Sequence, residues 1–338
     1  MPSLALQRLL DASLAYPPEY ANELSSHLPM ALAALAGLGA DEARLHAFFV
    51  GYVRRFNTPP PPPPVQAALP DWRAVRGRFE CFASLWASFA AALARDGRDA
   101  VLREALPDLL SGIGGAAFHG VIRTAHAVES GHDSELAAAL AYWAARWMNL
   151  AAPAPRGPDI DTVADWLDAM DARLNQDAAS WQSAAPLIAG RMRDATHTAA
   201  YQEVAGRLRS AGRDRGALLH ELARCAAARY AATRNFTVLH MATAARAARV
   251  LAAWLPRDAA ALAPLWHAVA AASLASGVAT AAPRQAVADA GLDWAQVRAR
   301  ALGSDDDHVI KLVHAMASQD ALAPHPVWLR AAARAVSG

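Results

Sequence analysis

The chain has 338 residues, of which 54% are hydrophobic and 19% charged, with a net charge of +1. Alanine and leucine dominate it, and alanine loses no side-chain entropy in a helix, so the composition excludes a β-rich fold. The charges are mixed in sign along the chain, which excludes the basic stripe that tracks nucleic-acid phosphates.

No run of about 18 apolar residues is free of charge, and "MPSLALQRLLDASLAYPPEY" has no basic stretch leading into an apolar core. The sequence therefore predicts a cytoplasmic protein with no membrane contact and no signal peptide. Its length suits one all-α domain over 1–338, built from about fifteen helices.

Apolar residues recurring every three to four positions mark the helices in order. The first is predicted over 3–15, and "YPPEY" ends it. The second, over 20–37, carries "HLPMALAALAGLG" from His27, and a third spans 41–55. Between 57 and 70 lies a proline-rich connector, in which Pro59 to Pro64 form a stiff polyproline II segment on the surface. Helices follow over 72–95 and 98–110. The helix over 115–130 carries "HGVIRTAHAVESG" from His119, and Asp133 or Ser134 caps the next, over 134–149.

Beyond "APAPRGP" come helices over 159–173, 178–192, 195–211 and 215–232. The helix over 236–254 carries "HMATAARAARVLA" from His240, and those over 258–275 and 284–300 follow it. The aspartates of "DDDH" cap a helix over 305–318, and a helix over 325–336 closes the chain. Cys81 and Cys225 form no CxxC pair and read as buried free thiols in a reducing compartment.

HExxH, Walker, GxGxxG, GxSxG and CxxCH motifs are absent, so the common zinc-protease, nucleotide, serine-hydrolase and haem signatures are excluded. Glu129 and His132 make one ExxH, where a ferritin-like di-iron site needs two and two further glutamates. Twelve histidines remain to be sorted. His46, His132, His197, His220 and His325 lie in polar or terminal settings that suit surface roles, and His126 and His267 are intermediate. His27, His119, His240 and His308 each open or nearly open an apolar helix, and small residues beyond them leave room beside an imidazole. For any one of them alone, a hydrogen-bonded structural histidine is the simpler reading. His126 follows His119 by seven residues, on the same face but about 10.5 Å along the axis, too far to share one ion.

Lys311 is the only lysine, so 31 of the 32 Lys and Arg residues are arginines. It stands three residues after His308, on a shared helix face, and His314 lies further round. Arginine stays protonated, whereas burial can neutralise a lysine. A neutral amine can add carbon dioxide to give a carbamate, an anionic oxygen donor on a long stem.

"SSHLPMALAALAGLGA", "GAAFHGVIRTAHAVESG", "NFTVLHMATAARAARVL" and "DDDHVIKLVHAM", in this order and at these separations, resemble the questin oxidase-like family over nearly the whole chain. The resemblance implies an all-helical fold and a mononuclear non-haem Fe(II) held by four histidines and a carboxylated lysine. Matched motif by motif, these are His27, His119, His240, His308 and Lys311. It also implies oxidation of an anthraquinone-type polyketide or quinone with O2, Baeyer–Villiger-like or ring-opening, with NADPH as an external reductant. Arg123, one turn after His119, suits a substrate oxygen but is more often a packing arginine and stands outside the core site. Two other classes remain beside this reading. A metal-free helical binding protein would scatter the four histidines and expose Lys311. A zinc hydrolase would use three protein ligands rather than five.

Overall fold

The computed structural model describes residues 3–21, 23–56, 67–176, 183–279 and 291–337. Pro59 to Pro64 lie outside these residues, as do parts of the helices expected over 178–192 and 284–300. Among the described residues the fold is all-α, with a single two-stranded ribbon.

The first helices are α1 (Leu4–Ser13), α2 (Leu28–Leu38), α3 (Glu42–Val53), α4 (Phe82–Asp96), α5 (Arg98–Leu110), α6 (His119–Ser130), α7 (Asp133–Ala145) and α8 (Val163–Gln176). They are followed by α9 (Ile188–Ala195), α10 (Ala199–Val204), α11 (Arg215–Thr233), α12 (Phe236–Val250), α13 (Ala263–Ala275), α14 (Trp294–Leu302), α15 (Asp307–Leu322) and α16 (Pro326–Val336). The ribbon pairs β1 (Glu19–Tyr20) with β2 (Leu24–Ser25), antiparallel.

The helix expected over 20–37 therefore begins only at Leu28. Ala21 and Glu23 take positive φ of 39° and 68°, which a helix cannot contain. Glu19 is held instead by Arg146 Nε and the Tyr142 hydroxyl, at 2.7 and 2.9 Å. The helix expected over 72–95 breaks into two 3-10 turns, Trp72–Val75 and Phe79–Cys81, before α4, with Gly77 at φ 81° between them. The stretch 195–211 holds α10 and a short 3-10 turn, and its end leaves the helix to bridge Ile160 through Leu208.

Four helices position the site. α2, α6, α12 and α15 pack in a closed ring, each against the next. α2 has Pro29 in its first turn and ends at Gly39, whose φ of 97° gives the left-handed cap. Asn235 caps α12 by accepting from the Thr237 and Val238 amides, and Asp306 caps α15 by accepting from the His308 and Val309 amides.

α6 has an unusual start. Ala116, Ala117 and Phe118 are consecutive left-handed residues, with φ of 45°, 53° and 69°. Just before this turn a Cβ on Gly115 would lie 1.9 Å from the Arg146 carbonyl oxygen, so glycine lets the backbone pass close to the end of α7. α6 then packs tightly on α7, since Gly120 leaves room for the Trp143 backbone and ring.

Candidate metal centre

Each helix of the ring brings one histidine to a common end. His27 immediately precedes α2, His119 is the first residue of α6, His240 lies one turn into α12, and His308 is the second residue of α15. Their rings form a closed circuit. Centroids lie 4.6 Å apart for His27 and His119, 4.9 Å for His119 and His240, 5.5 Å for His240 and His308, and 4.6 Å for His308 and His27. Residues spread from 27 to 308 in the chain thus share one small volume.

In all four rings Nδ1 faces an oxygen acceptor. His27 Nδ1 lies 2.6 Å and His308 Nδ1 2.9 Å from Asp307 Oδ1. His119 Nδ1 meets the Ala116 carbonyl, and His240 Nδ1 lies 2.8 Å from the Phe236 carbonyl. An acceptor at Nδ1 requires the proton there, which leaves each Nε2 with a bare lone pair. The left-handed turn before α6 matters here, because it delivers the Ala116 carbonyl to His119.

The protonation states agree. Burial pushes the His27 imidazole down to about 3, with the Lys311 charge acting in the same direction. Burial and the neighbouring rings hold His119 and His240 well below the usual histidine range. Neutral imidazoles are the form that binds metals.

Two observations test whether a cation fits. His27 Nε2 and His119 Nε2 are 2.6 Å apart, and two lone pairs at that distance repel unless a positive charge lies beside them. His308 Nε2 is buried and has no hydrogen-bond partner. Imidazole nitrogens turned inward, with their outer nitrogens bonded to carboxylate or carbonyl, are the donor set of a first-row transition metal.

Lys311 is buried to 2% exposure and makes no hydrogen bond or ion pair among the described residues. Burial pushes its amine down to about 8, against the opposing pull of Asp307 and Asp306. A neutral amine is therefore accessible close to neutral pH, which is what carbamate formation requires.

Asp307 is the residue that sequence reasoning missed. Of the aspartates expected to cap α15, Asp306 is the one that does so. Asp307 is buried, and its Oδ2 accepts from Arg55 Nη1 at 2.6 Å while Oδ1 serves the two histidines. Burial alone would raise its carboxyl; His27, His308 and Lys311 hold it well below the usual carboxylate range. His27, Asp307 and His308 place donor atoms within 4.8 Å of one another. The hydrogen bonds favour Asp307 as the group that orients the two rings rather than as a ligand. Its position beside His308 and four residues before Lys311 was the available signal.

The remaining candidates fall elsewhere. His126 packs on His314 at 5.4 Å between centroids, both outside the four-ring circuit. His132 is buried rather than on the surface, and it caps α7 by accepting from the Glu135 amide, in place of Asp133 or Ser134. Its other nitrogen bonds Asp11 at 2.9 Å, which explains its burial. Arg123 is buried in a two-pronged pair with Glu135, at 2.6 and 2.8 Å, which commits its charge to packing α6 on α7, and it does not line the cavity beside the histidines. Cys81 and Cys225 are free but half-buried rather than buried, each packed against the margin of the core.

A cavity of about 300 Å³ opens onto His27, His119, His240 and His308. Its other walls include Tyr20, Leu24, Leu187, Ile188 and Phe236. Phe236 is 51% exposed, yet its ring packs at 4.8 Å from His240 and 4.6 Å from His308. An aromatic face held beside the imidazoles is a surface for a flat ligand.

Among the described residues, no helix is long and apolar enough to cross a membrane. A family model described as Questin oxidase-like matches residues 24–316, a span holding the four histidines, Asp307 and Lys311. No curated protein matches the chain.

Proposed function

The chain belongs to the questin oxidase-like family, and from that premise we propose that it is a non-haem iron-dependent oxygenase. Its substrate is an aromatic polyketide or quinone-like compound, oxidised with O2 in a Baeyer–Villiger-like or ring-cleaving reaction. The observation that carries this reading is the common arrangement of four imidazoles. Each has Nδ1 on an oxygen acceptor and a bare Nε2, and all line one cavity.

His27, His119, His240 and His308 would hold the iron, with Lys311 as a carbamate supplying an anionic oxygen. Ferrous iron, when bound, supplies one-electron chemistry toward dioxygen. The protein's own residues do the rest. Asp307, clamped by Arg55, keeps the protons of His27 and His308 on Nδ1. The Ala116 and Phe236 carbonyls do the same for His119 and His240. Phe236, Leu187 and Ile188 form the apolar wall against which a flat ring system excludes water. Four helices begin at the cluster, and their partial positive ends add to any cation placed there. The Asp307 carboxylate and a Lys311 carbamate are the anionic groups that offset this. NADPH would act from outside as the two-electron source for a monooxygenation.

The test is metal analysis of the purified protein, followed by oxygen consumption of iron-loaded protein against anthraquinones and hydroquinones, with and without NADPH. We expect about one iron per chain and substrate-dependent oxygen uptake. Stoichiometric zinc with no oxygen uptake at any iron loading would overturn the reading in favour of a hydrolase. Absence of any metal would favour a binding protein.

A further inference from the structure

We propose that Arg191 is the anchor that selects the substrate, and that the cavity takes an aromatic molecule carrying an anionic group, such as a carboxylate or an ionised phenol. This rests on the reading of that cavity as the substrate site.

Arg191 lies in α9 and lines the same cavity as the four histidines. Its Nε is buried without a hydrogen-bond partner. Its side chain makes no ion pair among the described residues, in contrast to Arg123, Arg146 and Arg55, each of which is matched by a carboxylate. An arginine on the cavity wall whose inner nitrogen is buried and unsatisfied lacks the partner that most buried polar atoms have. Glu23 is the other charged side chain on the cavity wall besides Arg191, and it lies 3.1 Å from Arg146. The histidines facing the space are held neutral where burial is complete, as described above. Arg191 is therefore the cation on the wall, fixed on a helix, while the carboxylate there, Glu23, is drawn to the Arg146 that it shares with Glu19.

A cavity of about 300 Å³ is at the small end of ligand sites, so a ring system filling it meets Phe236, the imidazoles and Arg191 together. Planar guanidinium matches a carboxylate in two-pronged fashion and also tolerates a single phenolate oxygen. The anchor thus places the anion on one side and presents the uncharged part of the ring to the histidines.

Binding is measured by quenching of tryptophan fluorescence, with the protein as isolated and its metal content recorded. The probes are charge-differing pairs of one, two and three rings: benzoate and benzamide, naphthoate and naphthamide, and anthraquinone carboxylate and its carboxamide. Wild type is expected to prefer the carboxylate of at least one pair by about tenfold or more. Arg191→Met abolishes that preference and leaves the amide within about twofold, and Arg191→Lys keeps part of it. The amide serves as the internal control for folding. No charge preference in any pair, or a preference that survives in Arg191→Met, overturns the proposal; survival would place the anion on the metal instead. The outcome is independent of oxygenase chemistry, because it is read without turnover. Failure of iron binding or oxygen uptake would sink the proposed reaction and leave the charge preference standing.

Discussion

Replacing Asp307 by asparagine keeps the shape of the side chain and removes its charge, which isolates its role in orienting the rings. In the native arrangement one oxygen accepts from His27 at 2.6 Å and lies 2.9 Å from His308 Nδ1, and the other accepts from Arg55 at 2.6 Å. Asparagine has one acceptor and one NH2. If its oxygen faces the histidines, its NH2 meets the Arg55 guanidinium, donor against donor. If it is flipped, its NH2 faces two Nδ1 atoms, both rings must carry their protons on Nε2, and two of the four inward lone pairs are lost. Either outcome weakens the site. Removing an outer partner of a metal-bound histidine typically costs about 10- to 100-fold in metal affinity, or roughly 1.4–2.8 kcal/mol. The assay is anaerobic titration of metal-free protein with Fe(II), followed by calorimetry, with Co(II) as a spectroscopic check on coordination. Arg55→Met is the companion variant. Its effect should be smaller, because the Arg55 side chain is 39% exposed and its pair with Asp307 is partly screened. A Kd within threefold of wild type in Asp307→Asn, with thermal stability unchanged, would refute the orienting role.

If Lys311 acts as a carbamate, Lys311→Arg should lose metal as completely as Lys311→Met, since arginine keeps its proton; stripping bicarbonate at mildly acidic pH should lower wild-type metal content, and adding it back should restore it. Full metal content in Lys311→Arg would end that role. His126 is buried and held well below its ordinary value of 6.5, by burial first and then by Arg246. Protons therefore bind the unfolded chain more readily, and this contribution to stability is whole above about pH 6.5 and is lost as the pH falls below it. His126→Phe should flatten the acid limb of stability by up to about 1.4 kcal/mol per pH unit, read from urea midpoints between pH 6.5 and 4.5. Gly120→Ala should destabilise by about 1–3 kcal/mol in thermal or urea unfolding, because its Cβ would lie 2.6 Å from Trp143 Cγ and 2.9 Å from the Trp143 Cα. Ala116→Gly should instead stabilise by up to about 1 kcal/mol, since glycine takes a φ of 45° without the cost that alanine bears.

The helices and the four histidine-led segments were legible because they are local. Three- to four-residue periodicity, small residues and caps such as Asn235 lie within one stretch of chain. The features that make these segments a site were not local. Asp306 and Asp307 are the same residue type in one run of aspartates. Only His27, 280 residues away, and Arg55 distinguish the buried one from the cap. Ala116 and Ala117 have the highest helix propensity of any residue, yet they form a left-handed turn beside the close approach of Gly115 to the Arg146 carbonyl at the end of α7. The β1–β2 ribbon replaced a predicted helix because Glu19 and Ser25 bond to α7. Arg123 and Arg191 look alike in sequence. What separates them is Glu135, which sits beside one and not the other.

The four helices that carry the histidines all start at the same end of the ring, so the chain must return to that end three times. α3 to α5 fill the first return, α7 to α11 the second, and α13 and α14 the third. No hairpin or contiguous pair of helices contains two of the rings, and the facing Nε2 atoms of His27 and His119 are 92 residues apart. Contacts of such long sequence separation close late in folding, after the entropy of the intervening loops has been overcome. The pocket of nitrogens is then a property of the finished chain, with no smaller unit able to assemble it. Any ion it retains acts as a clasp on the whole molecule. Occupancy should raise the free energy of global unfolding by mass action, without protecting one region over another.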